Sequence, residues 1–151
     1  MKKKSIWIGS AIILSALLYV GLKPLLFPTQ GGSKSVELIL TVDQAEGDDL
    51  IVLDKTYRTD AETLGDLLEE VSKEENIAMQ LAGAKTDSFG RYIVGIGQYV
   101  TTDSAVGPWW LINSTTNKEC VEAGYCNGID LQSIYDHDVF NLNFTSTTTS
   151  Y

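Results

Sequence analysis

Few side chains in this sequence are placed to do chemistry. His137 is the only histidine, and Asp136 and Asp138 flank it. A serine hydrolase needs a histidine base and an acid that orients it, and His137 is the one base on offer. Three consecutive polar residues just before a strand-like run read instead as an exposed turn. Cys120 and Cys126 are the only cysteines. In an oxidising compartment such a pair closes a small loop as a disulfide. Zinc would need about two further ligands, and free thiols are the remaining alternative. Asp43, Glu46, Asp48 and Asp49 crowd one segment, but their spacing does not fit the helix-loop-helix calcium motif. They read as a solvated acidic turn. Gly95 and Gly97 lack the third glycine and the following helix of a nucleotide loop. Without a phosphate loop, a metal cluster or an activated nucleophile, the chain reads as one that binds and does not react.

The residues suited to binding are aromatic. Trp109 and Trp110 are adjacent and follow Pro108. Neighbouring side chains of a strand point to opposite faces, so one indole enters the core and the other faces out. An outward indole needs cover from a ligand, a partner or a folded-back loop. Phe89, Tyr92 and Tyr99 are its candidate companions. Aromatic faces suit a planar small molecule, a carbohydrate or a protein partner. Core packing is the plainer role for each of the five.

The surrounding elements must position these rings. Residues 36–42 are β-branched and apolar over a strand length, residues 43–49 form a turn, and residues 50–53 return as the second strand of a hairpin. One helix follows. Thr59 or Asp60 is its expected N-cap with Glu62 in the first turn, and Thr63 with Asp66 is a second capping arrangement. Leu64, Leu67, Leu68 and Val71 share one face, and Asp66, Glu69, Glu70 and Lys73 fall mostly on the wet side. Further strands are expected near residues 76–81, 89–96, 109–113 and 139–144, with a long loop over residues 114–127 and a short pairing segment near residues 128–131. In the last strand Phe140, Leu142 and Phe144 share the inner face, opposite Val139, Asn141 and Asn143.

The first part of the chain is different. Lys2, Lys3 and Lys4 precede residues 6–22, a run of seventeen without charge. Roughly 17–25 apolar residues span a bilayer, and the lysines place the N-terminus in the cytoplasm. The expected organisation is a basic stub (1–5), a transmembrane signal-anchor (6–27), a linker (28–35), one extracellular domain (36–145) and a tail (146–151). No small-residue cleavage site follows the run, which favours a single-pass protein of the cell membrane; cleavage and secretion is the alternative. Residues 1–30 hold four of the 11 basic residues and none of the 20 acidic ones, so the remainder has a formal charge of −13. That composition excludes nucleic acid and anionic headgroups as partners. Asn113-Ser114-Thr115 and Asn143-Phe144-Thr145 match the glycosylation pattern, which has meaning only in a eukaryote, whereas the lysine-led anchor reads as bacterial.

Three stretches carry a family resemblance: Phe89, Gly90 and Tyr92 in a glycine-tagged strand; Gly107, Pro108, Trp109, Trp110 and Asn113; and Asp136 and Asp138 before the last strand. In this order and spacing the sequence resembles the transcobalamin C-terminal-like domains, of the soluble-ligand-binding β-grasp group. The helix with Leu64, Leu67 and Leu68 matches the family's leucine helix, and the likeness covers roughly residues 36–144. Ser114 and His137 stand where the family usually has glycine, and the Cys120–Cys126 loop looks like an insertion. The resemblance implies an α+β fold: a β-grasp-like mixed sheet of short strands packed on one main helix. It also implies a wall for cobalamin or another small molecule, with no other cofactor. The second function class is a non-catalytic protein-interaction domain that docks onto another cell-surface or transporter component.

Overall fold

The computed structural model describes residues 31–146. The expected anchor at 6–27, and the tail from 147 on, lie outside them. Among the described residues no helix is long and apolar enough to cross a membrane. The elements are β1 (Lys34–Val42), β2 (Leu50–Thr59), α1 (Leu64–Glu74), β3 (Met79–Ala82), β4 (Tyr92–Ile96), β5 (Tyr99–Val100), β6 (Trp109–Asn113), α2 (Lys118–Ala123) and β7 (Val139–Thr145).

The fold is α+β, dominated by strands. Alternation in β1 buries Val36, Leu38, Leu40 and Val42 on one face, and the acidic segment turns the chain back into β2, antiparallel with a slip between Leu40 and Thr41. β7 lies beside β1 in parallel, and β6 pairs antiparallel with β7. The result is a mixed four-stranded sheet in the order β2-β1-β7-β6. The expectation of one sheet needs correcting, because β3, β4 and β5 form a second, three-stranded sheet. β5 is only two residues long, and the connection at 101–108 carries the chain away so that Trp109 enters alongside β7.

Leu64, Leu67, Leu68 and Val71 of α1 are fully buried in one core with the inner residues of β1 and with Phe140, Leu142 and Phe144 of β7. Burying each such side chain contributes about 1.5–3 kcal/mol. Thr63, not Thr59 or Asp60, caps this helix: its hydroxyl accepts from the Asp66 amide at 3.2 Å. Asp60 instead accepts from the Ser33 amide at 2.8 Å and ties the start of β1 to the end of β2. The segment expected to pair at 128–131 is a turn, held by the Leu131 and Gln132 amides on the Gly128 carbonyl oxygen, both at 2.9 Å.

Candidate functional site: a groove over the outer sheet face

β6 separates the two tryptophans by face. Trp110 turns inward and is 7% exposed. Its ring lies 5.1 Å from that of Phe144, and its indole nitrogen donates to the Tyr99 carbonyl oxygen at 3.0 Å. Tyr99 in turn lies 6.0 Å from Phe144, so these three rings join the two sheets. Trp109 turns outward, and a folded-back loop covers it. Its indole nitrogen donates to the Ser104 carbonyl oxygen at 3.0 Å. Its ring lies so close over Gly107 that a Cβ there would come within 2.7 Å of it. Phe89 and Tyr92, 84% and 60% exposed, stand on the second sheet and the loop before it. The five aromatic residues therefore do not converge on one surface: Trp110 and Tyr99 pack together, Trp109 is covered, and Phe89 and Tyr92 face solvent.

A different concavity opens on the outer face of the four-stranded sheet, where β6 leaves it and β7 enters. Ile39, Val139, Asn141 and Asn113 line it from the strands, and Ser114 and Thr115 from the exit of β6. Val121, Gly124 and Tyr125 line it from α2 and its C-terminus, beside the Cys120–Cys126 disulfide. Its volume is about 680 Å³, within the range of about 300–1,000 Å³ usual for small-molecule sites. An amide row crosses the sheet nearby. The Thr41 hydroxyl sits 3.1 Å from Asn141 Oδ1 and 2.9 Å from Asn143 Oδ1, donating to one at a time, and Asn143 Nδ2 donates to Asp43 Oδ1 at 2.7 Å.

The roof is held rigidly. Asn117 caps α2, its Oδ1 accepting from the Glu119 and Cys120 amides at 3.1 and 3.2 Å, and Gly124 ends the helix in the left-handed region. Asn117 is fully buried, and its Nδ2 donates to Asp138 Oδ2 at 2.6 Å and to the Ser133 carbonyl oxygen at 2.9 Å. Gln132, also fully buried, accepts from the Asn127 amide at 2.8 Å and donates to Asn117 Oδ1 at 2.9 Å. The Tyr135 hydroxyl donates to Glu119 at 2.7 Å, and this bond holds the Glu119 carboxyl below its usual range. Each buried polar group here has a partner, which is what such a network requires to be stable. Below it, Asp138 accepts from the Tyr135 amide at 2.8 Å. His137 adopts a left-handed backbone at φ 68° with its side chain exposed.

Among the described residues no group of three His, Cys, Asp or Glu side chains is placed to hold a metal ion. No protein-family model matches the sequence, and no curated protein matches it. A crystal structure of a "putative metal binding protein" from Ruminococcus gnavus ATCC 29149 is similar at a TM-score of 0.49 and 16% identity, over 76% of this chain and 99% of that one.

Of the groove's lining residues, Asn113, Ser114 and Thr115 stand out in the sequence only as a glycosylation pattern and Val139 and Asn141 only as the outer face of the last strand, and no motif brings them together with Ile39, Val121 and Tyr125. The roof was more legible than its reading as plain loop allowed. Asn117 before Lys118 and Gly124 after Ala123 are an N-cap and a left-handed C-terminal glycine around one short helix.

Proposed function

We propose that this chain is a non-catalytic binding module, anchored through residues 6–27 and displayed outside the membrane. Its ligand face is the groove between the outer sheet face and α2. The observation that carries the reading is the groove itself: a recess of about 680 Å³ whose strand side mixes Ile39 and Val139 with Asn113 and Asn141 and whose wall is closed by a disulfide. A few polar groups set in a mostly apolar recess are the usual make-up of a small-molecule site. The β-grasp assignment is supported by a helix that shares its core with a mixed sheet whose first and last strands run parallel. Through that likeness, cobalamin and related corrinoids are the first ligands to try. Of the aromatic pair, Trp109 lies on the groove's side of the sheet and Trp110 supports it from beneath.

Amide chemical-shift mapping of the full chain with a small-molecule library that includes cyanocobalamin tests this. Perturbations confined to residues 113–126, 39 and 139–141 support the groove. A second reading rests on Leu50, Ile51 and Val52, which are 44%, 59% and 37% exposed on the edge strand β2. An exposed apolar edge is a template for pairing with another chain, and perturbations centred there would favour a protein-docking role.

A further inference from the structure

The chemistry of the groove narrows its ligand class. Its lining contains no charged side chain, in a chain with 20 acidic residues. The field of such a chain repels anions, and a cation would enter the groove without a carboxylate to offset its desolvation. An uncharged ligand is what remains. Asn113 and Asn141 are direct partners in the β6–β7 register, so their Cβ atoms lie about 4.5–5.5 Å apart on the same face. The Asn141 oxygen is engaged by Thr41. Its NH2 group and the Asn113 side-chain amide make no hydrogen bond to another described residue, and because no buried polar side-chain atom among the described residues lacks a partner, both are open to solvent in the groove their residues line. Two adjacent amides with donors and an acceptor to spare match neighbouring hydroxyls on a ring, each of which donates and accepts. Above them, Tyr125 and Val121 are 67% and 58% exposed on the roof. They offer an apolar surface to the C–H face of the same ring.

We infer that the groove takes a neutral saccharide, its hydroxyl edge on the Asn113–Asn141 pair and its C–H face beneath Tyr125. This rests on the groove being the ligand face, as proposed above.

The test is side-chain amide NMR of Asn113 and Asn141 in the full chain, held in a detergent without a sugar headgroup. The saccharide probes are maltotriose, cellotriose and triacetylchitotriose. The comparison probes are cyanocobalamin and an acetylated, amidated trialanine. The expected result is that at least one trisaccharide shifts both amides saturably. Tyr125→Ala, which removes an exposed ring, then weakens its Kd about tenfold, the upper end of an aromatic contact. Sugars that leave both amides unmoved while cyanocobalamin or the tripeptide shifts them would overturn the saccharide inference and leave the groove reading standing. If no probe moves either amide, both fail. Trisaccharide binding that Tyr125→Ala leaves unchanged also contradicts the proposed pose.

Discussion

The indole nitrogen of Trp110 donates to the main-chain oxygen of Tyr99 at 3.0 Å, and with the Tyr99–Phe144 ring contact it ties the four-stranded sheet to the three-stranded one. Trp110 is thereby committed to the core, and the proposed ligand face lies on the opposite side of β6, where Trp109, Leu111 and Asn113 point.

The two tryptophans should consequently differ in what they contribute. Trp110→Ala removes a buried ring packed on Phe144 and leaves a cavity, at a cost of about 3–5 kcal/mol. Trp109→Ala uncovers a loop and costs about 1–2 kcal/mol, the ordinary range for a partly buried side chain. Urea unfolding of the two variants, followed by far-UV circular dichroism, measures both. Equal losses would contradict the inward and outward assignment.

Acid should weaken the fold through Asp130. Its carboxylate accepts from Arg91 Nε at 2.9 Å, from Arg91 Nη2 at 2.7 Å and from the Arg91 amide at 2.8 Å. The Arg91 guanidinium holds its carboxyl below the usual carboxylate range. A carboxylate depressed by folding contributes stability above its unfolded pKa and loses it as pH falls through the folded one. Stability should therefore decline from about pH 4 downward, and Asp130→Asn should flatten that decline. At neutral pH the same substitution leaves a mostly buried guanidinium with Glu69 as its one ion partner among the described residues and costs about 3 kcal/mol. Thermal unfolding across pH separates the two effects; an unchanged pH profile in Asp130→Asn would assign the acid sensitivity elsewhere.

Reduction of Cys120–Cys126 should act locally. The disulfide spans a sequence separation of 6, and closing so short a loop stabilises by about 2 kcal/mol in the chain-entropy account. The Cys120→Ser, Cys126→Ser double variant should keep the strands, α1 and its core while hydrogen exchange accelerates over residues 118–126. Equal acceleration in β1 and β7 would show that the roof is integral to the core.

Much of the fold was legible because its patterns are local. Leu64, Leu67, Leu68 and Val71 announce α1, and the alternation of Phe140, Leu142 and Phe144 announces β7; all of these side chains are buried. Pairings between distant segments were less so. Nothing in Val139 to Thr145 says that it lies parallel to β1, or that β5 stops after two residues and a second sheet ends there. The site was the least legible part. Aromatic type drew attention to Trp110 and Tyr99, whose rings serve the core. The groove depends instead on Asn113 and Asn141 meeting across a register, and on Asn117 and Gln132 finding each other beneath a short helix, and neither is a property of any one stretch.

The central claim, that the ligand face is the groove beneath α2, is tested most directly by filling it. Val121 lines the groove and is 58% exposed, so Val121→Trp adds bulk there without entering the core. Calorimetric titration of the full chain with cyanocobalamin, maltotriose, cellotriose and triacetylchitotriose should give saturable heat for at least one of them. In Val121→Trp that heat should vanish while the unfolding midpoint is unchanged. Binding that persists undiminished in the filled variant, or no binding of any of the four probes to the parent chain, would contradict the account.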